Sequence, residues 1–216
     1  GATAALHYAK LHVENSPESK VLVIASDIAK YGVATPGEPT QGAGSVAMLI
    51  TQNPRIMAFN NDNVAQTRDI MDFWRPNYST TPYVNGVYST QQYLDSLMTT
   101  WDEYKKRYDW TMGDFAAICF HLPYPKLALK GLRKMMDKTL SQEKQDSFQE
   151  NFDKSILYSQ MIGNIYTGSL FLGLLSLLEN AETLKAGDKI ALYSYGSGAV
   201  SEFFSGCLLY TSDAAD

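Results

Sequence analysis

Two short apolar runs constrain the fold of this 216-residue chain more than any other feature. Residues 21–26 read VLVIAS and residues 45–50 read SVAMLI, with the Pro/Gly loop TPGEPTQGAG between them. Runs of this length and composition are typical of strands buried on both faces of a layered α/β core. A helical pattern over residues 3–12 precedes the first run. Helix, strand, glycine loop and strand in this order predict an α/β fold with helices packed on sheets.

The rest of the chain continues the alternation of helix and strand. Residues 60–89 are polar, aromatic and turn-rich, which predicts an excursion over the surface or over a cleft. The remaining pattern predicts a helix over 90–108, a strand over 116–121, a helix from 123 with Pro125 in its first turn, two helical segments over 152–184 joined around Gly163, and a strand over 188–198 that ends in a glycine turn. No internal repeat or low-complexity linker is evident, so we expect one compact piece.

Composition argues against several classes of partner. Eighteen Lys and Arg residues against 23 Asp and Glu give a net charge of -5 without long runs. A chain of this kind is not expected to bind nucleic acid or an anionic membrane. The longest apolar stretch, residues 168–178, is too short to cross a bilayer, and the first residues lack the form of a signal peptide. We therefore expect a cytoplasmic protein.

Cysteine and histidine usage predicts neither a disulfide framework nor a metal site. The chain has two cysteines, Cys119 and Cys207, and no C-x-x-C pattern. Its three histidines lack the i,i+4 spacing of a zinc site.

The two ends of the sequence have an unusual character. The first residues, GATAALHYAK, lie within an amphipathic helical pattern that has no preceding cap or Met, so we expect sequence upstream of Gly1. Residues 207–216, CLLYTSDAAD, break with the preceding pattern and resemble the translation of a common sequencing adapter; the alternative is an ordinary C-terminal strand followed by a tail. We predict a partial domain over residues 1–206 followed by an unrelated tail over residues 207–216.

His121 is the first candidate for chemistry. Residues 119–126 read CFHLPYPK, which places the histidine at the end of a predicted strand. Layered α/β proteins collect their ligand groups at such strand ends, and Pro123 and Pro125 stiffen the loop that follows. The alternative is a histidine that only makes a hydrogen bond at a strand terminus.

Three further groups accompany His121. Lys126 and Lys130 lie four residues apart on the following helix and could hold phosphates, or could belong to a solvated basic face. The SYGSG motif at residues 194–198 could present backbone N–H groups and the Ser197 hydroxyl to an oxyanion, or could be a plain turn. Asn164 starts a helical pattern, where it is either a cap or a functional amide. The loop at residues 37–45 matches neither a dinucleotide fingerprint nor a P-loop.

Seven motifs occur together in one order: GATAALHYAK, VIASDIAKYG, GEPTQGAGSVAMLI, DFWRPNY, FHLPYPK, GNIYTGSL and SYGSGAVSEFFSG. Over residues 1–206 the chain resembles the 3-hydroxy-3-methylglutaryl-CoA synthase family in its bacterial form. The resemblance implies a thiolase-like α/β fold, in which two related βαβαβ-type halves build five layers (αβαβα). This chain would then hold the end of the first half and much of the second.

The resemblance also implies an acyltransferase of the mevalonate route to isoprenoids. In that family a cysteine takes the acetyl group of acetyl-CoA, a glutamate deprotonates it, and the carbanion attacks acetoacetyl-CoA. The family places this cysteine two residues before the position of Gly1 and the glutamate further upstream. Of the three catalytic groups the chain therefore keeps His121, the hydrogen-bond donor to the C3 carbonyl oxygen of the acetoacetyl group, and we expect the chain alone to be inactive.

Other site residues follow from the resemblance, position by position. Coenzyme A thioesters are substrates, so no cofactor is expected, and the family implies a homodimer. Cys119 lies within a predicted strand and is expected to be a buried, inert thiol. The resemblance implies that Lys126 and Lys130 contact the phosphates of CoA. It implies substrate contacts for Asn164, Ser197, Thr40 and Ser89. It implies supporting roles for Asp27, Asp72 and Tyr166.

Two alternative functions remain open at this point. One is a related ketoacyl or polyketide-branching synthase that takes acyl groups from a carrier protein, whose phosphopantetheine would occupy much of the same tunnel. The other is a non-catalytic CoA-binding protein with a degenerate site.

Overall fold

The computed structural model describes residues 1–209, which form six helices and nine strands. The helices are α1 (Ala2–Asn15), α2 (Gly86–Tyr108), α3 (Pro125–Met135), α4 (Gln142–Ser155), α5 (Leu157–Ile162) and α6 (Ser169–Asn180). The strands are β1 (Lys20–Ala29), β2 (Gly42–Thr51), β3 (Met57–Phe59), β4 (Val64–Thr67), β5 (Phe73–Trp74), β6 (Tyr83–Val84), β7 (Ala117–Phe120), β8 (Lys189–Gly196) and β9 (Val200–Leu208).

The strands form one mixed sheet of five strands and two pairs. The large sheet has the order β3-β9-β8-β7, and β4 pairs with β9 beside β3. Strands β7 and β8 are parallel, whereas β3, β4 and β8 each run antiparallel to β9. Strands β1 and β2 form a long antiparallel pair from Lys20 opposite Thr51 to Ala29 opposite Gly42. Strands β5 and β6 form a short antiparallel pair.

Two apolar cores lie on opposite faces of the five-stranded sheet. Ile118 and Phe120 of β7 point to one core, which is shared with α2, α3 and α4. Ala117 and Cys119 point to the other core, which is shared with α1 and α6 and, beyond these helices, with β1 and β2. The order helix, sheet, helix, sheet confirms the layered α/β prediction and supplies four of the five expected layers.

The sheet of β1 and β2 has one buried face and one exposed face. Its buried face packs on α1, and strand side chains alternate between the two faces because of the two-residue period. On the outer face Leu22, Ile24, Ile28 and Leu49 are more than half exposed. The prediction that these strands are buried on both faces was therefore wrong for the part of the chain that the structure describes.

Residues 60–89 are only partly a surface excursion. Strand β4 lies within this range and pairs with β9 in the main sheet, which the polar sequence did not indicate. Helix α2 begins at Gly86, four residues before the predicted start, because Asn85 caps it by accepting the Tyr88 N–H at 3.2 Å.

The predicted break around Gly163 is confirmed, with one more helix than expected. Helix α5 ends at Ile162, and Gly163 leaves it with a φ of 85°. The segment before it contains both α4 and α5, separated at Ile156. A single 3₁₀ turn (Tyr166–Gly168) then leads into α6.

Strand β9 continues into the segment predicted to be a tail. Cys207 and Leu208 pair with Ala58 and Met57 of β3. Residues 210–216 lie outside the described residues, so the adapter origin of the segment stays a prediction. Within residues 1–209, no helix has both the length and the apolar character needed to cross a membrane.

Candidate active site

His121 directly follows strand β7 at the carboxyl end of the parallel β7–β8 pair. Its backbone N–H donates to the Tyr193 carbonyl of β8 at 2.7 Å, which extends the ladder by one residue. Its carbonyl oxygen accepts the Tyr93 hydroxyl of α2 at 2.9 Å. Pro125 then starts α3. The backbone of His121 is therefore held from both sides before the chain turns.

The imidazole of His121 is neutral at neutral pH. Its side chain keeps partial exposure, but the surrounding protein atoms remove enough water to lower the pKa of His121 from 6.5 to about 4. A neutral imidazole has one N–H donor and one acceptor nitrogen. Such a ring can donate a hydrogen bond to an oxygen that gains negative charge.

A cleft of about 310 Å³ lies beside the loop that follows His121. Three segments line it: residues 39–41, residues 123–125 and residues 159–164. Thr40 and Asn164 are therefore brought together, and Lys126 is next in sequence to Pro125 on the wall. Concave sites of this size are where small molecules and cofactors bind.

Lys126 and Lys130 are exposed on successive turns at the start of α3. The first turn of α3 contains no acidic residue, so Lys126 adds positive charge where the helix dipole is already positive. That arrangement is unfavourable alone and favourable beside an anion. Lys134, two turns further along, lies 3.5 Å from Asp95. Phosphate binding by Lys126 and Lys130 stays a prediction.

The side chain of Asn164 is buried and caps the turn that follows it. Its Oδ1 accepts the Tyr166 N–H at 2.9 Å and the Ser169 hydroxyl at 3.0 Å. Its Nδ2 donates to the Tyr31 hydroxyl at 2.7 Å, which uses one of the two N–H groups of the amide. Its backbone N–H donates to the Thr40 carbonyl at 3.0 Å. The hydrogen bonds of Oδ1 are those of a residue that caps the following turn. Contact between the Asn164 side chain and a ligand stays a prediction.

Three aromatic rings pack together beside this amide: Tyr31, Phe73 and Tyr166. Tyr31 packs edge-on against Phe73 and Tyr166, with ring centroids 5.9 and 6.3 Å away. Burial is the main cause that raises the pKa of Tyr31 and of Tyr166, and the negative charge of Asp27 raises both further. The two phenols therefore stay protonated at neutral pH. Asp27 acts on them through its charge, while its Oδ1 accepts the Ile28 N–H at 2.9 Å.

Asp72 gathers a second group of predicted residues. The carboxylate is fully buried, and its Oδ2 accepts the hydroxyls of Ser89 at 2.9 Å, Tyr195 at 3.2 Å and Ser197 at 2.9 Å. Its Oδ1 is buried without a hydrogen-bond partner in the described part of the chain. Phe73, the next residue, is the ring that contacts Tyr31. The chain thus connects this carboxylate to the Asn164 group.

Six of the predicted residues therefore fall into two neighbouring groups, and His121, Lys126, Lys130 and Asp27 belong to neither. Thr40, Asn164 and Tyr166 form one, whereas Asp72, Ser89 and Ser197 form the other. Sequence reasoning missed four residues that complete these groups: Tyr31, Gln41, Phe73 and Tyr195. Tyr195 lies inside the SYGSG motif, and alternation along β8 could have indicated that its side chain points the opposite way from Ser194.

The two cysteines do not suit a nucleophile or a metal site. Cys119 is fully buried, and burial raises the pKa of its thiol to about 12. It therefore remains a neutral thiol. Cys207 lies on β9 and is a free thiol. Among residues 1–209, no three His, Cys, Asp or Glu side chains are grouped closely enough to hold a metal ion.

The sequence and the structure of this chain both match known proteins. The family profile "Hydroxymethylglutaryl-coenzyme A synthase C terminal" matches residues 62–145 and 132–215. The chain is 53% identical to the hydroxymethylglutaryl-CoA synthase of Enterococcus faecalis over 97% of its own length and 54% of that protein. A crystal structure of an HMG-CoA synthase complexed with CoA superposes with a TM-score of 0.95 at 68% identity, covering 97% of this chain and 54% of that one.

A more distant structure is the HMG synthase of the curacin biosynthetic pathway in complex with an acetyl donor-ACP. It has a TM-score of 0.87 at 31% identity and covers 96% of this chain and 53% of that one. The chain spans about half the length of the relatives it matches. The layered architecture is that of thiolase-like proteins. Within that class, the chain belongs to the hydroxymethylglutaryl-CoA synthase family.

Proposed function

We propose that this chain provides the CoA-binding and acceptor side of a hydroxymethylglutaryl-CoA synthase. The reaction is the condensation of acetyl-CoA with acetoacetyl-CoA to 3-hydroxy-3-methylglutaryl-CoA in the mevalonate pathway. The observation that carries the proposal is the cleft between Thr40, Asn164 and the loop after His121, with Lys126 beside it. The relative from Enterococcus faecalis and the solved relative of 68% identity are hydroxymethylglutaryl-CoA synthases, and the latter was solved with CoA.

The role proposed for His121 follows from its protonation state. Carbon–carbon bond formation turns the C3 carbonyl oxygen of the acetoacetyl group into an alkoxide. A neutral imidazole N–H fixed near that oxygen forms its strongest hydrogen bond when the charge appears, so it stabilises the transition state more than the substrate. The rigid backbone of His121 supplies the fixed position.

The phosphate groups of CoA are proposed to contact α3. Lys126 and Lys130 provide two ammonium groups, and the N-terminus of the helix provides the positive end of its dipole. Asn164 and Thr40 lie further along the cleft, where the acyl group would reach. Ser197 and Ser89 are proposed to face the same ligand while their hydroxyls stay on Asp72.

Titration calorimetry of the 216-residue chain with CoA tests the proposed contacts. We expect Lys126→Ala and Lys130→Ala each to weaken CoA binding by roughly tenfold, the size of one charge-assisted hydrogen bond. Lys106→Ala, on the exposed last turn of α2, is the matched control and should leave the affinity unchanged. Pantetheine, which lacks the phosphates, should bind all four proteins alike. Equal CoA affinities for all four proteins contradict the proposed site.

Turnover is a separate question from binding. Cys119 is buried, and neither Cys119 nor Cys207 lines the cleft, so neither suits the role of the family's nucleophile. We therefore propose that the chain alone binds CoA thioesters without condensing them. Release of CoA above background from acetyl-CoA and acetoacetyl-CoA by the purified chain would refute this part of the proposal.

The acyl donor is proposed to be acetyl-CoA, a thioester of free coenzyme A, and not an acyl group held on a carrier protein. A carrier-protein donor is the competing possibility, since the curacin relative was solved with a donor-ACP. The higher identity to a hydroxymethylglutaryl-CoA synthase favours the free thioester. If the chain binds CoA but does not bind a holo-carrier protein in calorimetry, the free thioester is supported. Binding of the carrier protein without binding of CoA favours the carrier.

A homodimer and a cytoplasmic location are further proposals from the family resemblance.

A further inference from the structure

We infer that Gln41 is a positioning residue, which holds the Tyr31 hydroxyl against Asn164 at the acyl end of the cleft. That this end of the cleft holds the acyl group rests on the proposed function, whereas the contacts of Gln41 are observed independently of it. Gln41 lines the cleft, and its backbone forms a parallel bridge with that of Asn164. Its side chain reaches from this bridge to the loop that carries Tyr31.

The backbone of Gln41 is a fixed anchor because glycines on both segments, Gly42 and Gly163, let the two chains approach closely. A Cβ on Gly163 would lie 2.1 Å from the Gln41 carbonyl oxygen, and the φ of Gly163 is 85°. A Cβ on Gly42 would lie 2.6 Å from the Asn164 carbonyl oxygen. The two chain segments are in direct backbone contact, so Gln41 cannot shift without displacing Asn164.

The side-chain oxygen of Gln41 accepts two consecutive backbone N–H groups. Oε1 lies 2.7 Å from the Tyr31 nitrogen and 3.2 Å from the Gly32 nitrogen. The loop beyond them turns through positive φ values at Gly32 and Ala34 and leaves Val33 85% exposed. Such a loop buries little apolar surface, so hydrogen bonds fix it: these two at its start and that of the Ala34 N–H to Glu38 further along.

Fixing the backbone of Tyr31 also fixes its phenol. The hydroxyl accepts the Asn164 N–H at 2.7 Å, and the ring packs edge-on against Phe73 and Tyr166. If Gln41 no longer held the loop, Tyr31 would leave this position and Asn164 would lose a partner. Gln41 thus acts on a bound acyl group through Tyr31 and Asn164 and does not need to touch it.

Amide hydrogen exchange, followed by NMR on the labelled chain, tests the hold itself. Gln41→Met keeps the size of the side chain but removes the acceptor, whereas Gln41→Glu keeps an acceptor oxygen. We expect exchange at Tyr31 and Gly32 to rise by about tenfold in Gln41→Met, with Val23 of β1 unchanged, and to stay near the original rate in Gln41→Glu. Unchanged exchange at Tyr31 and Gly32 in Gln41→Met overturns the inference.

Ligand binding tests the positioning role. Gln41→Met should weaken acetoacetyl-CoA binding roughly two- to tenfold while CoA binding stays constant, and Gln41→Glu should restore most of the difference. Equal losses for both ligands, or no loss for either, overturn the positioning role even where exchange rises. Failure of the unsubstituted chain to bind CoA refutes the proposed function instead, and the exchange experiment still decides whether Gln41 holds the loop.

Discussion

The hydroxyl of Ser197 donates to Oδ2 of Asp72 at 2.9 Å, although 125 residues separate them in the sequence. The same oxygen accepts hydroxyls from Ser89 in the first turn of α2 and from Tyr195 near the end of β8. One buried carboxylate therefore joins three parts of the chain. Since charge-assisted hydrogen bonds are stronger than neutral ones, Asp72 should be important for stability as well as for the shape of the site.

Removal of this carboxylate should destabilise the fold. Asp72→Ala leaves three hydroxyl groups without their acceptor, and we expect the free energy of unfolding to fall by about 2–3 kcal/mol. Urea denaturation at pH 7 measures this change. Asp69→Ala, an exposed carboxylate three residues away, should have almost no effect. A double-mutant cycle with Ser197→Ala should show coupling, and strictly additive effects would contradict the hydrogen bond as the cause.

The low pKa of His121 predicts a defined pH dependence of stability. Above about pH 7.5 the imidazole is neutral in both states and contributes no dependence. Between pH 6.5 and about 4 the unfolded chain takes up a proton that the folded chain does not, so the free energy of unfolding falls as the pH falls. Below pH 4 both states are protonated. The full effect is about 3 kcal/mol, from 1.36 kcal/mol for each unit of pKa.

Comparison with His121→Gln isolates this contribution. Both proteins share His7, His12 and all carboxylates, so the difference between their stability curves reports position 121. We expect the curves to diverge between pH 7.5 and 4.5, with the variant losing less stability. In parallel, the ring protons of His121 should show no NMR titration between pH 7.5 and 5.5. Parallel curves, or a titration midpoint near 6.5, would contradict burial as the cause.

The contact between Gly163 and Gln41 predicts an asymmetric response to alanine. Gly163→Ala places a Cβ 2.1 Å from a backbone oxygen at a φ of 85°, so we expect a loss of several kcal/mol, about 3 or more, or failure to fold. Gly86→Ala is the control, because its Cβ meets nothing within 4 Å and lies in the first turn of α2. It should be neutral or stabilise by about 0.5–1 kcal/mol. Similar melting temperatures for both variants would refute the steric argument.

Local signals predicted the elements better than their packing. The helical period over residues 3–12 and Pro125 in a first turn both correspond to helices in the structure, because their determinants lie within a few residues. The pairing of β4 with β9 depends on residues more than 130 positions apart, such as Val64 and Phe203. No local pattern encodes a partner at that distance, which is why residues 60–89 were expected to lie on the surface.

The candidate site shows the same division. The end of β7 and the helix after it were predicted, so the positions of His121 and Lys126 followed from sequence. The network around Asp72 depends on hydroxyls from two distant segments, and the roles of Tyr195 and Gln41 depend on tertiary contacts alone. Motif resemblance supplied Asp72 and Asn164 as candidate site residues, but only the fold supplies their hydrogen-bond partners.

The exposed face of the β1–β2 sheet predicts self-association of the chain. Leu22 lies opposite Leu49, and Ile24 follows on the same face, so the apolar side chains are contiguous. Contiguous apolar surface of this kind associates in water. We expect concentration-dependent sedimentation of the 216-residue chain at micromolar concentrations. The double variant Ile24→Thr/Leu49→Thr keeps good strand formers and should shift the chain towards monomer with unchanged circular dichroism. Val87→Thr, 86% exposed on α2, should not shift it, and a chain that is monomeric without substitution would contradict the prediction.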